Sequence, residues 1–215
     1  MKKELEKRSY NFEIRAEESE SGEQLITGRP IVYDSKTDIG GFFAEIIEKG
    51  ALDDADLTDV RFLVNHNTDM IPLARSRRNN GNSTMKMTAD DKGLSLDFVK
   101  LDVENNSEAK ALYSAIKRGD ISGMSFMFSV QEEDWEDVDS DYPTRHILKI
   151  GSVVEVSAVT FPAYAETEIN ARSKEALENA RSAVETARQQ REASLESEGA
   201  ELLLEKAKFN FMSNL

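Results

Sequence analysis

The chain has 215 residues, with 27 Lys and Arg against 41 Asp and Glu, a net charge of −14 at neutral pH. That balance argues against nucleic acid as the main partner, because a phosphate backbone needs a basic surface to release its counterions. With no cysteine and only 2 histidines, disulfides, thiolate zinc sites, cysteine nucleophiles and a three-histidine metal centre are excluded.

The opening Met1-Lys2-Lys3-Glu4-Leu5-Glu6 runs into charge and does not read as a signal peptide. No apolar run approaches the roughly 18 residues that suggest a membrane span. A soluble, acidic protein of a reducing compartment is expected, with no membrane partner. Segments 10–15, 24–33, 42–47, 60–66, 83–88, 94–101, 124–130, 146–150 and 152–161 read as strands, since β-branched and aromatic residues alternate there with polar ones. Asn80-Gly81 and Asp91-Lys92-Gly93 are turn signals between alternating runs. Gly50 opens a stretch, 50–56, that suits a short helical turn. Residues 106–118 carry Ala109, Leu112 and Ile116 at helical spacing, with Gly119 where a C-terminal cap belongs. The acidic run 131–141 (Glu132, Glu133, Asp134, Glu136, Asp137, Asp139, Asp141) repels itself and is expected as a long hairpin loop.

Near residue 170 the composition changes. Gly is absent until Gly199, Pro is absent, and Ala, Glu, Arg and Gln dominate. Residues 1–170 are therefore predicted to form a mainly β (α+β) domain and 171–215 a helical, charged extension. Leu177, Ala180, Val184 and Ala187 give the extension a thin apolar seam that calls for a partner surface, and Leu202, Leu203, Leu204, Phe209 and Phe211 form a second cluster.

Three residues conflict with their surroundings or stand apart from them. Glu155 lies in Ser152-Val153-Val154-Glu155-Val156-Ser157-Ala158-Val159, which is apolar on both alternating faces. A carboxylate in such a doubly buried strand is costly unless paired; the other reading is an edge strand with Glu155 in water. Ser125 faces away from Met124, Phe126, Phe128 and Val130, as inert strand serines also do. His66 closes a strand between Asn65 and Asn67, as a surface histidine would too. Together they supply the nucleophile, base and orienting acid of acyl transfer.

Gly40-Gly41-Phe42, Asn65-His66-Asn67, Gly119-Asp120-Ile121-Ser122-Gly123-Met124-Ser125-Phe126 and Glu155-Val156-Ser157-Ala158-Val159-Thr160-Phe161-Pro162-Ala163-Tyr164 resemble, in this order, the prohead (capsid maturation) proteases of tailed bacteriophages. The resemblance runs from about residue 10 to residue 171. It implies an antiparallel β-barrel akin to the herpesvirus assembly proteases, with a C-terminal helical extension, and a serine endopeptidase that needs no cofactor and no metal. Ser125, His66 and Glu155 fall on the family's serine, histidine and acidic positions. His146 is the alternative third member, because the herpesvirus enzymes use a second histidine. Asn67, Ala74 and Met127 depart from the family pattern, and Met127 narrows the expected substrate groove. Backbone N–H groups, helped by an arginine such as Arg75, are expected to meet the oxyanion.

The implied partners are the major capsid protein with its scaffolding segment, other prohead components and the protease itself, including self-association. The implied place is the host bacterial cytoplasm, inside the assembling prohead. The helical extension would bind scaffolding helices or be trimmed by autocleavage. The contrasting readings are a catalytically inactive assembly protein and, more distantly, a metal-dependent hydrolase using His66, Asp69 and the acidic run.

Overall fold

The computed structural model describes residues 5–10, 14–77, 81–161 and 174–213. In chain order they form β1 (Glu6–Tyr10), β2 (Ile14–Glu18), β3 (Gln24–Val32), β4 (Thr37–Ile39), β5 (Phe43–Ile47), β6 (Arg61–Val64), β7 (Ala74–Arg75), β8 (Met85–Asp90), β9 (Gly93–Lys100), α1 (Ser107–Arg118), β10 (Gly123–Glu136), β11 (Thr144–Val159) and α2 (Lys174–Ser213). The molecule is mainly β with two helices, as expected. Residues 11–13 of the expected strand 10–15 lie outside the described residues, as do Asn80, the Pro162-Ala163-Tyr164 end of the last motif and the boundary near residue 170.

The larger sheet has seven strands in the order β1-β10-β11-β5-β4, with β6 on β11 and β7 on β6; the smaller has the order β2-β3-β9-β8. Neither is closed into a barrel among the described residues, and the expected antiparallel barrel is not confirmed. Pairing is also not purely antiparallel: β11 runs parallel to β5 through Thr144–Ile147 and to β6 through Glu155–Ala158. With β10 on its other edge, β11 is an interior strand, which explains its apolar residues on both faces. The separate strands expected at 146–150 and 152–161 are one strand, because Gly151 passes through it while the β10–β11 register shifts nearby.

The acidic run also departs from expectation. Residues 131–136 continue β10 instead of looping, because cross-strand cations neutralise them: Lys149 pairs with Glu132 at 2.6 Å and Arg145 with Glu133. Only 137–143 make the connection to β11. The stretch 50–56 forms turns.

The core between the sheets is built on Ile26, Ile31, Phe62, Met85, Leu94, Leu96, Met124, Phe126, Phe128 and Val156, all essentially inaccessible to water. In α1, Asn106 caps the first turn by accepting from the Glu108 and Ala109 amides at 2.9 and 3.2 Å, and Gly119 ends it in the left-handed region. Its face of Ala109, Leu112, Tyr113 and Ile116 is buried, and the Tyr113 hydroxyl donates to the Glu17 carbonyl at 3.0 Å. At the β8–β9 turn, Gly93 has φ of 135° and a Cβ there would sit 2.1 Å from the Ile31 carbonyl oxygen, so only glycine fits.

The first half of α2 is seated on the body. Ala180 and Val184 of the predicted seam pack on Phe43, with Ile39, Phe42 and Trp135 around them. Arg188 donates to the Val138 and Ser140 carbonyls at 2.9 and 2.8 Å, and Arg191 lies 3.3 Å from Asp139. Leu195, Leu202, Leu203 and Leu204 are exposed. The side chains of Leu177, Phe209 and Phe211 lie outside the described residues. Val184→Asp should release this half of the helix, since it forfeits about 1.5–3 kcal/mol of burial and places an unpaired carboxylate on Phe43. Trp135, the only tryptophan, meets the Phe43 ring edge-on at 5.1 Å, so its emission should shift to the red; an unchanged spectrum would count against this seating.

Candidate active site

Cross-strand register brings three serines into one row. Ser9 of β1 is opposite Ser125 of β10, and Ser125 is opposite Ser157 of β11. Because Met124, Phe126 and Phe128 point into the core, period two turns Ser125 to the other face. Glu155 stands two residues before Ser157 on the same face of β11. His66 arrives from β6, which lies beside β11 with Leu63 opposite Ser157.

Immediately after β6 the chain makes a left-handed turn, with φ of 52° at Asn65 and 56° at His66. Asparagine tolerates that region, and here its side chain also fixes the turn. Asn65 Nδ2 donates to Thr160 Oγ1 at 3.0 Å, and Asn65 Oδ1 accepts from the Thr160 amide at 2.9 Å. The His66 amide donates to Ser157 Oγ at 3.2 Å. These bonds hold the imidazole over the serine row.

Ser125 Oγ lies 2.5 Å from His66 Nε2, and His66 Nδ1 bonds Glu155 Oε1. The second Glu155 oxygen accepts from the Ser157 hydroxyl at 2.6 Å. An ionised carboxylate only accepts, so the network assigns the hydrogen to Nδ1 and leaves Nε2 free to take the Ser125 proton. Glu155 is buried, 2% exposed, and these two partners answer the cost that its apolar strand implied. The structure therefore brings Ser125, His66 and Glu155 into one hydrogen-bonded chain, an arrangement suited to acyl transfer.

His146 is elsewhere engaged. Its Nδ1 is 2.7 Å from Glu48 and its Nε2 is 3.5 Å from Glu136. Arg75, expected near the oxyanion, is committed to Asp59 through Nε and Nη2 at 2.5 and 2.7 Å. Among the described residues no three His, Cys, Asp or Glu converge as metal ligands. Sequence reasoning missed Ser157, although its offset of two from Glu155 placed both on one face. It also missed β1, which no alternation announces.

Beside the serine row, β1 enters a buried ion cluster. Arg8 donates to both oxygens of Glu45, at 2.5 and 2.6 Å, and to Glu6 at 2.6 Å. Arg145 reaches Glu6 at 2.7 and 2.9 Å, Glu45 at 3.1 Å, and Glu133. Burial alone would raise the Glu6 carboxyl, but the guanidiniums of Arg145 and Arg8 win and hold it down at about 2 against the usual 4.5. A depressed carboxyl stabilises the fold fully above its unfolded value, and that stabilisation is lost as pH falls from about 4.5 towards 2. The contribution is on the order of 3 kcal/mol. Amide-exchange protection of β1, corrected for intrinsic rates, should drop over that window, and Glu6→Gln should remove the pH dependence; a flat profile in the unsubstituted chain would contradict it.

Residues 10–182 match the sequence model of a family described as caudovirus prohead serine protease. The chain belongs to that family. No curated protein and no solved structure matches the chain. Membership in the prohead serine proteases assigns the chain to proteolysis in phage capsid maturation and to contact with capsid components. The family match spans His66, Ser125 and Glu155, and of β1 it includes only Tyr10. No helix among the described residues is long and apolar enough to cross a membrane.

Proposed function

We propose that this prohead protease is a serine endopeptidase with Ser125 as nucleophile, His66 as general base and acid, and Glu155 as the group that orients the imidazole. Ser125 Oγ bonds to the carbonyl carbon of a peptide while its proton passes to His66 Nε2. That proton then goes to the departing amine as the C–N bond breaks. Water, deprotonated by His66 in turn, cleaves the acyl ester and returns the serine hydroxyl. The observation that carries this reading is the continuous Ser125–His66–Glu155 hydrogen-bonded chain, assembled from β10, the turn after β6, and β11.

The substrates are the scaffolding segment of the major capsid protein, other prohead components and the protease itself, cut inside the assembling prohead in the host cytoplasm. Residues 1–170 carry the chemistry. The extension, 171–215, binds scaffolding helices through its far half, where the exposed Leu195, Leu202, Leu203 and Leu204 supply apolar contact.

The deciding experiment is mass spectrometry of capsid subunits co-expressed with the unsubstituted chain or with Ser125→Ala. New subunit termini that vanish in the variant, with its circular dichroism unchanged, are expected. Identical fragments from both would favour a catalytically inactive assembly protein.

A further inference from the structure

β1 lies antiparallel along the edge of β10, with Lys7 opposite Met127, Arg8 opposite Phe126 and Ser9 opposite Ser125. With β1 in place the nucleophile is fully buried: Ser125 is 0% exposed. Ser9 Oγ donates to Ser125 Oγ at 2.7 Å, and the Arg8 carbonyl oxygen lies 2.6 Å from Ser125 Oγ. The Ser125 hydroxyl has one hydrogen. The Arg8 carbonyl and His66 Nε2, at 2.6 and 2.5 Å, both compete for it. A hydrogen spent on Arg8 is withheld from the base.

An extended segment added to a sheet edge, with its main chain in the ladder and alternate side chains in pockets, is a general mode of peptide binding. β1 has that posture, with a peptide carbonyl set against the catalytic hydroxyl and its arginine seated on Glu45. We propose that β1 is a resident stand-in for substrate: it occupies the β10 edge, must leave before Ser125 can act, and marks the site of an extended peptide whose basic residue docks on Glu45. This rests on the protease reading above.

The pocket explains the preference for a base. When β1 leaves, Arg8 and Glu6 go with it. What remains is Arg145 shared between Glu45 and Glu133, two carboxylates against one guanidinium. A site with surplus negative charge and a buried acceptor favours an incoming Arg or Lys and disfavours an acid. The basic residue falls on the amino side of the bond presented to Ser125, as Arg8 does.

The absence of native cysteine allows a clean test. A Lys7→Cys, Met127→Cys variant of the full chain, oxidised, ties β1 to β10; reduction frees it. Labelling of Ser125 by a fluorophosphonate should be at least tenfold slower in the oxidised form. In the full chain Arg8→Glu, which sets a carboxylate against Glu45, should label at least tenfold faster than the unsubstituted chain. The reduced form should cleave a synthetic peptide of residues 4–13 and spare its Arg8→Glu version. Equal labelling of oxidised and reduced forms, or no acceleration in Arg8→Glu, would overturn the occlusion while leaving the protease reading intact. A folded protein that never labels, in any form, would sink both.

Discussion

Alanine at Ser125 is expected to lower kcat for peptide hydrolysis about a million-fold, alanine at His66 by a similar factor, and the double replacement by no more than either alone. The two groups share one proton transfer. Without His66 the Ser125 hydroxyl loses Nε2 at 2.5 Å, and the Arg8 carbonyl beside it accepts a hydrogen bond but cannot take the proton near neutral pH. Without Ser125 the imidazole has nothing to deprotonate. Single-turnover kinetics on a fluorogenic peptide with a basic residue before the cut would measure both. Multiplying losses would show that the two side chains do not act in one step.

Glu155→Gln should cost about ten-thousand-fold in kcat through the histidine tautomer. Glu155 accepts from two donors, His66 Nδ1–H and the Ser157 hydroxyl. A glutamine has one oxygen for those two positions. With its oxygen towards Ser157, the amide NH2 faces Nδ1, the ring hydrogen moves to Nε2, and His66 cannot take the Ser125 proton. Adding Ser157→Ala removes the competing donor and lets the glutamine oxygen return to Nδ1. The double variant should therefore recover at least tenfold over Glu155→Gln alone. Recovery requires that the Ser157 donation to Glu155 matter more to the imidazole than its acceptance from the His66 amide, and a further loss in the double variant would refute that order.

The parts of this site that a reader of the sequence can reach are those that violate local rules. Glu155 was visible because a carboxylate sits in a strand apolar on both faces, and the parallel strands β5 and β6 on one side with β10 on the other are why that strand is interior. The α1 boundaries were equally readable, since Asn106 and Gly119 act through bonds to their immediate neighbours. What escaped depends on partners far along the chain. Glu6-Lys7-Arg8-Ser9-Tyr10 has no apolar alternation, and its charges are matched by Glu45 and Arg145. Residues 131–136 looked too acidic for a strand because the cations that neutralise them, Arg145 and Lys149, belong to the opposite strand. Barrel closure was not legible for a similar reason: it is a property of which edges meet, and no local pattern encodes it.

The interior place of β11 has a bearing on synthesis. His66 leaves the ribosome long before Glu155 and Ser157, and the strand that aligns it, Glu155–Ala158 against Arg61–Val64, is made after Ser125 as well. A nascent chain that already displays imidazole and hydroxyl thus lacks both the acid and the rail that brings them into line. At about 5–20 residues per second the 30 residues from Ser125 to Glu155 take roughly 2–6 seconds. On the proposed triad, a growing polypeptide is expected to stay inactive through that interval and to leave its neighbours on the polysome uncut.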